Sequence, residues 1–223
     1  MGEPTVADRV QRVRLLIAAA CLRSGRSTDE VTLIAVTKGV SPEAIREAVA
    51  AGVHDLAENR VQEAQEKRTA LANLPLDVVW HMIGHLQRNK AKTAIGLFDI
   101  IHSVDSLHLA DAISRRALTT VPVFLEVNVA GEPSKYAFSL DDLPQARESV
   151  SRIPKLDVRG LMTVAPQSST PEAARPVFRR LRQAASALGL RDLSMGMSDD
   201  FEVAVEEGAT HVRIGRAIFG ESG

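Results

Sequence analysis

Short apolar runs rich in β-branched residues alternate with amphipathic helical stretches along almost the whole chain, and this alternation constrains the fold more than any other feature. Val31-Thr32-Leu33-Ile34-Ala35-Val36 is nearly continuous in apolar character, as expected of a strand covered on both faces of a parallel sheet. Ser41-Pro42 then supplies an N-cap and a proline for the first helical position, and Gly52 a stop. The unit recurs, with strands predicted at 31–36, 54–57, 78–81, 98–102, 121–127, 156–161, 191–194 and 210–214. Helical patterns lie between them. Over 173–188, Phe178, Leu181, Ala185 and Leu188 share one side.

An extra helix precedes the first strand, with Val6, Val10, Val13, Ile17 and Ala20 at helical spacing and Thr5 and Asp8 placed as a capping box. Cys21 borders this stripe and reads as a small core residue. Eight βα units in 223 residues favour an α/β fold of the (β/α)8 TIM-barrel type, with a doubly wound open sheet as the competing layout. No Pro/Gly/Ser-rich linker or low-complexity segment interrupts the pattern, so residues 1–223 are expected to form a single domain. One weak internal echo, Ala51-Gly52-Val53-His54 against Gly208-Ala209-Thr210-His211, marks repeated βα units.

Composition narrows the function classes. A formal net charge of −1 and no block of like charge argue against a nucleic-acid partner. A single cysteine rules out an intrachain disulfide framework and fits a reducing compartment. The longest apolar stretch near the N-terminus, 15–22, is too short to span a bilayer and lacks the flanks of a signal peptide. A cytoplasmic protein with no membrane partner is expected.

In a barrel, functional groups collect at the C-terminal ends of the strands. Those ends carry Lys38, Glu58-Asn59, His81, Gly84-His85, Ser103, Asn128, Met162-Thr163, residues 194–198 and residues 213–215. Lys38 follows a buried strand directly. Partial desolvation there would lower its pKa and make it an amine nucleophile for an aldehyde; an ordinary lysine snorkelling from a strand end is the alternative. Residues 194–198 and 213–220 are glycine-containing, and each is expected to open a helix, the arrangement by which barrels bind phosphate. Ser198 either donates its hydroxyl to such a phosphate or caps its helix, and Asp199 and Asp200 count against an anion unless they point away. His81 and His85 are four apart but lack the glutamate of a zinc-helix motif. Arg88, Lys90 and Lys92 form a basic cluster, read as a solvated face or a polyanion contact.

At these residues the chain resembles the pyridoxal phosphate homeostasis proteins, the YggS/PROSC family. The matching blocks are Ala35-Val36-Thr37-Lys38, Glu58-Asn59-Arg60-Val61-Gln62-Glu63, the stretch from Trp80 to Lys90, Glu126-Val127-Asn128, Gly160-Leu161-Met162, Leu193 to Ser198, and Val212 to Gly215 with Ala217 to Gly220. The resemblance implies a pyridoxal-phosphate barrel of fold type III, related to the N-terminal domain of alanine racemase. By it, Lys38 matches the lysine that forms the internal aldimine with pyridoxal 5'-phosphate. Ser198 and Gly215 match phosphate contacts, and Arg213 matches an arginine facing the pyridine nitrogen. Asn59 and Met82 match residues lining the cofactor pocket. Arg216 stands where a threonine is common; its backbone N–H remains and its charge could add to the phosphate site. The chain also departs from the pattern at Ala57, at Gly39-Val40 and at Lys135-Tyr136-Ala137.

The resemblance implies a carrier that sequesters the cofactor and delivers it to apo-enzymes that depend on it, without robust catalysis. A monomer is expected. A racemase of this fold type draws a second proton-transfer group from a further domain, whereas this chain stops at Gly223 with Tyr136 as its only tyrosine. A racemase-like enzyme, with Tyr136 or His81 as that group, and an interaction protein working through Arg88 to Lys92 are the alternatives.

Overall fold

The computed structural model describes residues 3–132, 136–168 and 170–220. Eight parallel strands close into a barrel in the order β1 to β8. They are β1 (Thr32–Val36), β2 (Asp55–Glu58), β3 (Val79–Met82), β4 (Ile100–Val104), β5 (Val121–Glu126), β6 (Leu156–Met162), β7 (Asp192–Ser194) and β8 (His211–Ile214). Closure is made by β1 on β8, with Ile34 opposite Arg213 and Ala35 opposite Ile214. The barrel, not the open sheet, is therefore the layout. All eight predicted strands are present, with ends displaced by one or two residues. The largest displacement is at β4, because the Phe98 amide still donates to Ala94 O of the preceding helix and the Asp99 carboxylate accepts from the Trp80 amide.

Nine helices surround the strands among the described residues: α1 (Val6–Ser24), α2 (Pro42–Ala50), α3 (Val61–Ala70), α4 (Ala91–Ala94), α5 (Leu107–Ser114), α6 (Leu143–Ser151), α7 (Arg175–Ala187), α8 (Phe201–Glu206) and α9 (Arg216–Phe219). In α1 the Thr5–Asp8 capping box is formed, and Val10, Val13, Ile17, Ala20 and Cys21 are buried. That face packs on α2, α8 and α9, so the extra helix covers the seam where the barrel closes. Burial raises the Cys21 thiol pKa, as for an inert core cysteine.

Helix α7 buries Phe178, Leu181 and Ala185. Its other side places Arg175, Arg179 and Arg182 at helical spacing, and all three reach Glu207, at 3.2, 2.8 and 3.3 Å. This cluster ties α7 to the end of α8. The two segments of the sequence echo both lead from a helix, α2 or α8, into the next strand.

Strand alternation decides what reaches the barrel interior. On β3, the His81 ring bonds to Asp55 of β2 and His102 of β4 inside the barrel. Trp80 lies under the guanidinium of Arg68 on α3, 5.6 Å from its ring centre. Met82, two residues on from Trp80, shares that outward side and is 1% exposed.

Candidate functional site

The strand ends surround a cavity of about 890 Å3 at the C-terminal mouth. Lys38, Asn59, Ser198, Arg213, Gly215 and Arg216 all line it, with Ile83, Glu132 and residues 164–168, 170 and 171 after β6. Six of the seven predicted site residues thus converge from β1, β2, β7 and β8. Met82 is not among the lining residues. The pleat sends it outward into the helix layer, and Ile83, one residue past the strand, lines the cavity in its place.

Lys38 lies two residues beyond the end of β1, in a turn closed by the Val40 amide donating to Thr37 O at 2.9 Å. It is exposed at the rim, which corrects the expectation of a partly desolvated amine: the strand stops at Val36, and the turn lifts Lys38 clear of the core. Gly39 takes φ 69°, a left-handed conformation that glycine adopts without strain, and this accounts for the Gly39 departure. Its amide donates to Glu63 Oε1 at 2.7 Å.

Behind the turn lies a group the sequence reasoning passed over. Lys67 Nζ sits 2.6 Å from Glu58 Oε1 and 2.7 Å from Glu63 Oε1, and it also donates to Thr37 O. The Thr37 hydroxyl donates to Glu58 Oε1 at 2.5 Å. The turn carrying Lys38 is therefore held on both sides by one buried ion cluster. Burial raises the Glu58 carboxyl pKa, while the hydrogen bonds from Lys67 and Thr37 oppose the shift. The usable signal was Glu63 and Lys67 at i and i+4, five residues after Glu58.

Arg213 is 4% exposed. Its Nη1 donates to Ser194 Oγ at 2.6 Å and its Nη2 to Thr163 O at 2.8 Å. Desolvation lowers its pKa to about 10, against the raising effect of Glu126 and Asp200, so it stays cationic at neutral pH.

The loop after β7 does not open a helix at Ser198 as predicted. Gly196, at φ 91°, turns the chain. The amides of Asp200 and Phe201 then bond back to Met197 O, and α8 begins at Phe201. Ser198 consequently caps no helix of its own; its hydroxyl accepts from the Ala217 amide at 3.3 Å, joining the two glycine loops. The acids that counted against an anion are both engaged. Arg216 pairs with Asp199, and Asp200 Oδ1 accepts from the Met197 amide at 2.7 Å. Burial raises the Asp200 pKa, and the hydrogen bond from the Met197 amide opposes the shift.

The remaining predicted groups lie elsewhere. His81 is 1% exposed inside the barrel. His85 lies outside, 2.9 Å from Asp105 and stacked on Tyr136 at 5.0 Å. Tyr136 is 76% exposed, and Lys135 lies outside the described residues. Arg88, Lys90 and Lys92 are exposed. Ala57 is fully buried.

A parallel eight-stranded barrel with a lysine at the end of its first strand and paired glycine loops after its last two defines a class. The chain matches the family described as "Alanine racemase, N-terminal domain" over residues 19–223. Within that class, the chain belongs to the family of the pyridoxal phosphate homeostasis proteins. It is 44% identical to the "Pyridoxal phosphate homeostasis protein" of Aquifex aeolicus, covering 96% of this chain and 97% of that one. It is 43% identical to the protein so named from Pseudomonas aeruginosa, over 97% and 95% of the two chains. Among solved structures, PipY of Synechococcus elongatus with pyridoxal phosphate bound superposes with a TM-score of 0.82 at 38% identity, over 97% of this chain and 100% of that one. An alanine racemase of Clostridium difficile, at 15% identity and a TM-score of 0.68, shares the fold. Among the described residues, no helix is long and apolar enough to cross a membrane.

Proposed function

We propose that this protein binds pyridoxal phosphate reversibly in the mouth cavity and holds it for delivery to apo-enzymes in the cytoplasm, without a catalytic cycle of its own. The observation that carries this reading is the convergence of an exposed amine, Lys38, and a buried cation, Arg213, on one cavity that also joins the two glycine loops.

The residues present fit the group. The Asn59 amide oxygen is buried and has no hydrogen-bond partner, and a polar ligand in the cavity would satisfy it. The engagement of Asp199 and Asp200 by Arg216 and the Met197 amide leaves the loops open to an anion. Pyridoxal phosphate in its known relative PipY supports the same ligand here.

Bound pyridoxal phosphate supplies an aldehyde that condenses with a primary amine. Lys38 presents that amine. Ser198, Gly215 and Arg216 would hold the phosphate, the first by its hydroxyl and the others by backbone N–H groups. Arg213, always cationic, would lie beside the ring and disfavour protonation of a ring nitrogen facing it. Asn59 and Ile83 complete the wall.

This arrangement suits storage better than turnover. An arginine at the ring makes the cofactor a weak electron sink. Exposure of Lys38 admits water, which a carrier needs for release and a carbanion reaction must exclude. Tyr136 is stacked on His85 and His81 is enclosed in the barrel, so neither faces Lys38 across the cavity as a second base.

The test is the visible spectrum of the purified protein loaded with pyridoxal phosphate, before and after borohydride, followed by peptide mapping. A yellow band, and a reduced adduct on Lys38 that is lost in Lys38→Ala, are expected. An adduct chiefly on Lys90 or another surface lysine would overturn the reading.

A further inference from the structure

A continuous line of hydrogen bonds crosses the barrel interior from its N-terminal end to Arg213. Arg213 Nη1 contacts Ser194 Oγ at 2.6 Å. Ser194 Oγ lies 2.8 Å from His102 Nδ1. His102 Nε2 lies 2.8 Å from His81 Nδ1, and His81 Nε2 lies 2.9 Å from Asp55 Oδ1. The three middle members are at most 1% exposed. Asp55 opens β2 at the end opposite Lys38, and its side chain is 27% exposed.

With both imidazoles neutral, the carboxylate end of this line fixes every proton between Asp55 and Ser194. A guanidinium can only donate and an ionised carboxylate can only accept. Ser194 Oγ, receiving from Arg213, turns its own proton to His102 Nδ1. His102 then carries its proton on Nε2 and donates to His81 Nδ1. His81 in turn carries its proton on Nε2 and donates to Asp55. Burial drives the His102 imidazole pKa well below its ordinary value, and the Arg213 charge acts in the same direction, so His102 is neutral. The Phe124 ring stacks on His102 at 4.3 Å and holds its plane.

We infer that Asp55, His81, His102 and Ser194 are positioning residues for Arg213, with the carboxylate at one mouth of the barrel orienting the guanidinium at the other. The inference rests on the carrier reading only for its consequence, which is that cofactor affinity depends on a residue outside the cavity. Aligned hydrogen bonds in a low-dielectric interior polarise one another, and a preoriented Arg213 meets its ligand without reorganisation.

The chain itself is tested in the cofactor-free protein. Nitrogen-15 NMR at pH 8 is expected to show His81 and His102 each protonated on Nε2 and bare on Nδ1. A proton on Nδ1 of either ring would overturn the inference. In Asp55→Asn, whose amide can face either way, both tautomers are expected at His81, and the Arg213 Nε–H resonance is expected to move although the two residues do not touch. Affinity for pyridoxal phosphate is expected to fall about 3- to 10-fold, the worth of one ordinary hydrogen bond. Ser194→Ala, which cuts the chain at one link with Asp55 intact, is expected to move the same Arg213 signal. Unchanged Arg213 resonances in both variants would overturn the inference whether or not the protein binds pyridoxal phosphate. Failure of the wild type to take up the cofactor would count against the carrier reading alone.

Discussion

Lys67 Nζ lies 2.6 Å from Glu58 Oε1 beneath the turn that carries Lys38, so the exposed amine of the site rests on a buried ion pair. Lys67 comes from α3 and Glu58 from the end of β2. Their junction with Thr37 holds the first two strands and the first mouth loop in one geometry.

Removing one partner of a buried pair leaves the other charge uncompensated. Lys67→Met is therefore expected to cost about 3–5 kcal/mol of stability. Lys67→Met with Glu58→Gln should recover part of that loss. Urea denaturation of the three proteins measures both effects. A double variant no more stable than Lys67→Met would show that packing, not charge, dominates the junction.

The wild type is expected to bind pyridoxal phosphate far more tightly than pyridoxal. Each charge-assisted hydrogen bond to the phosphate contributes about 1.5–3 kcal/mol. Ser198→Ala, which also releases the Ala217 amide, should narrow the difference. Equilibrium dialysis with the two ligands checks it. Equal affinity in the wild type would rule out a phosphate site between the two loops.

The protein is expected to lose stability in mild acid. Burial and the His81 charge lower the His211 pKa from 6.5 to about 4, and His102 shifts in the same direction. The unfolded chain therefore binds more protons than the folded one between these values. Stability is full above about pH 6.5 and falls as the pH drops toward 4. At pH 5, His211 alone costs about 2 kcal/mol. Urea midpoints from pH 8 to 5 should show this slope, and it should be shallower in His211→Gln.

Exchange of the α-proton of L-amino acids, followed by NMR in heavy water with the loaded protein, is expected to stay below about 1 s⁻¹, the lower end of ordinary enzyme turnover. Faster exchange that vanishes in Lys38→Ala would mean that the protein is an enzyme.

Much of this was legible in the residues. The apolar runs marked all eight strands, because a strand covered on both faces is mostly apolar, even where His81, His102 and Arg213 point into the barrel. The α1 stripe and its capping box are local, and they formed as predicted. Lys38, Asn59, Ser198, Arg213, Gly215 and Arg216 line one cavity because a barrel brings strand ends to one mouth. Met82 was misplaced by a single residue, since one step along a strand exchanges inside for outside.

What the sequence by itself determined was the order and type of the elements, and with them the residues that meet at the mouth. These depend on periodicity and caps, which act over a few residues. Only the tertiary structure decided the exposure of Lys38, the engagement of Asp199 by Arg216, the Lys67–Glu58 clamp, and the line from Asp55 to Arg213. Each of these depends on the distance between residues on different elements, and in the last case on five strands at once. Hydrogen bonds are lost within an ångström or so of their ideal length, and only barrel closure sets positions across the interior to that accuracy.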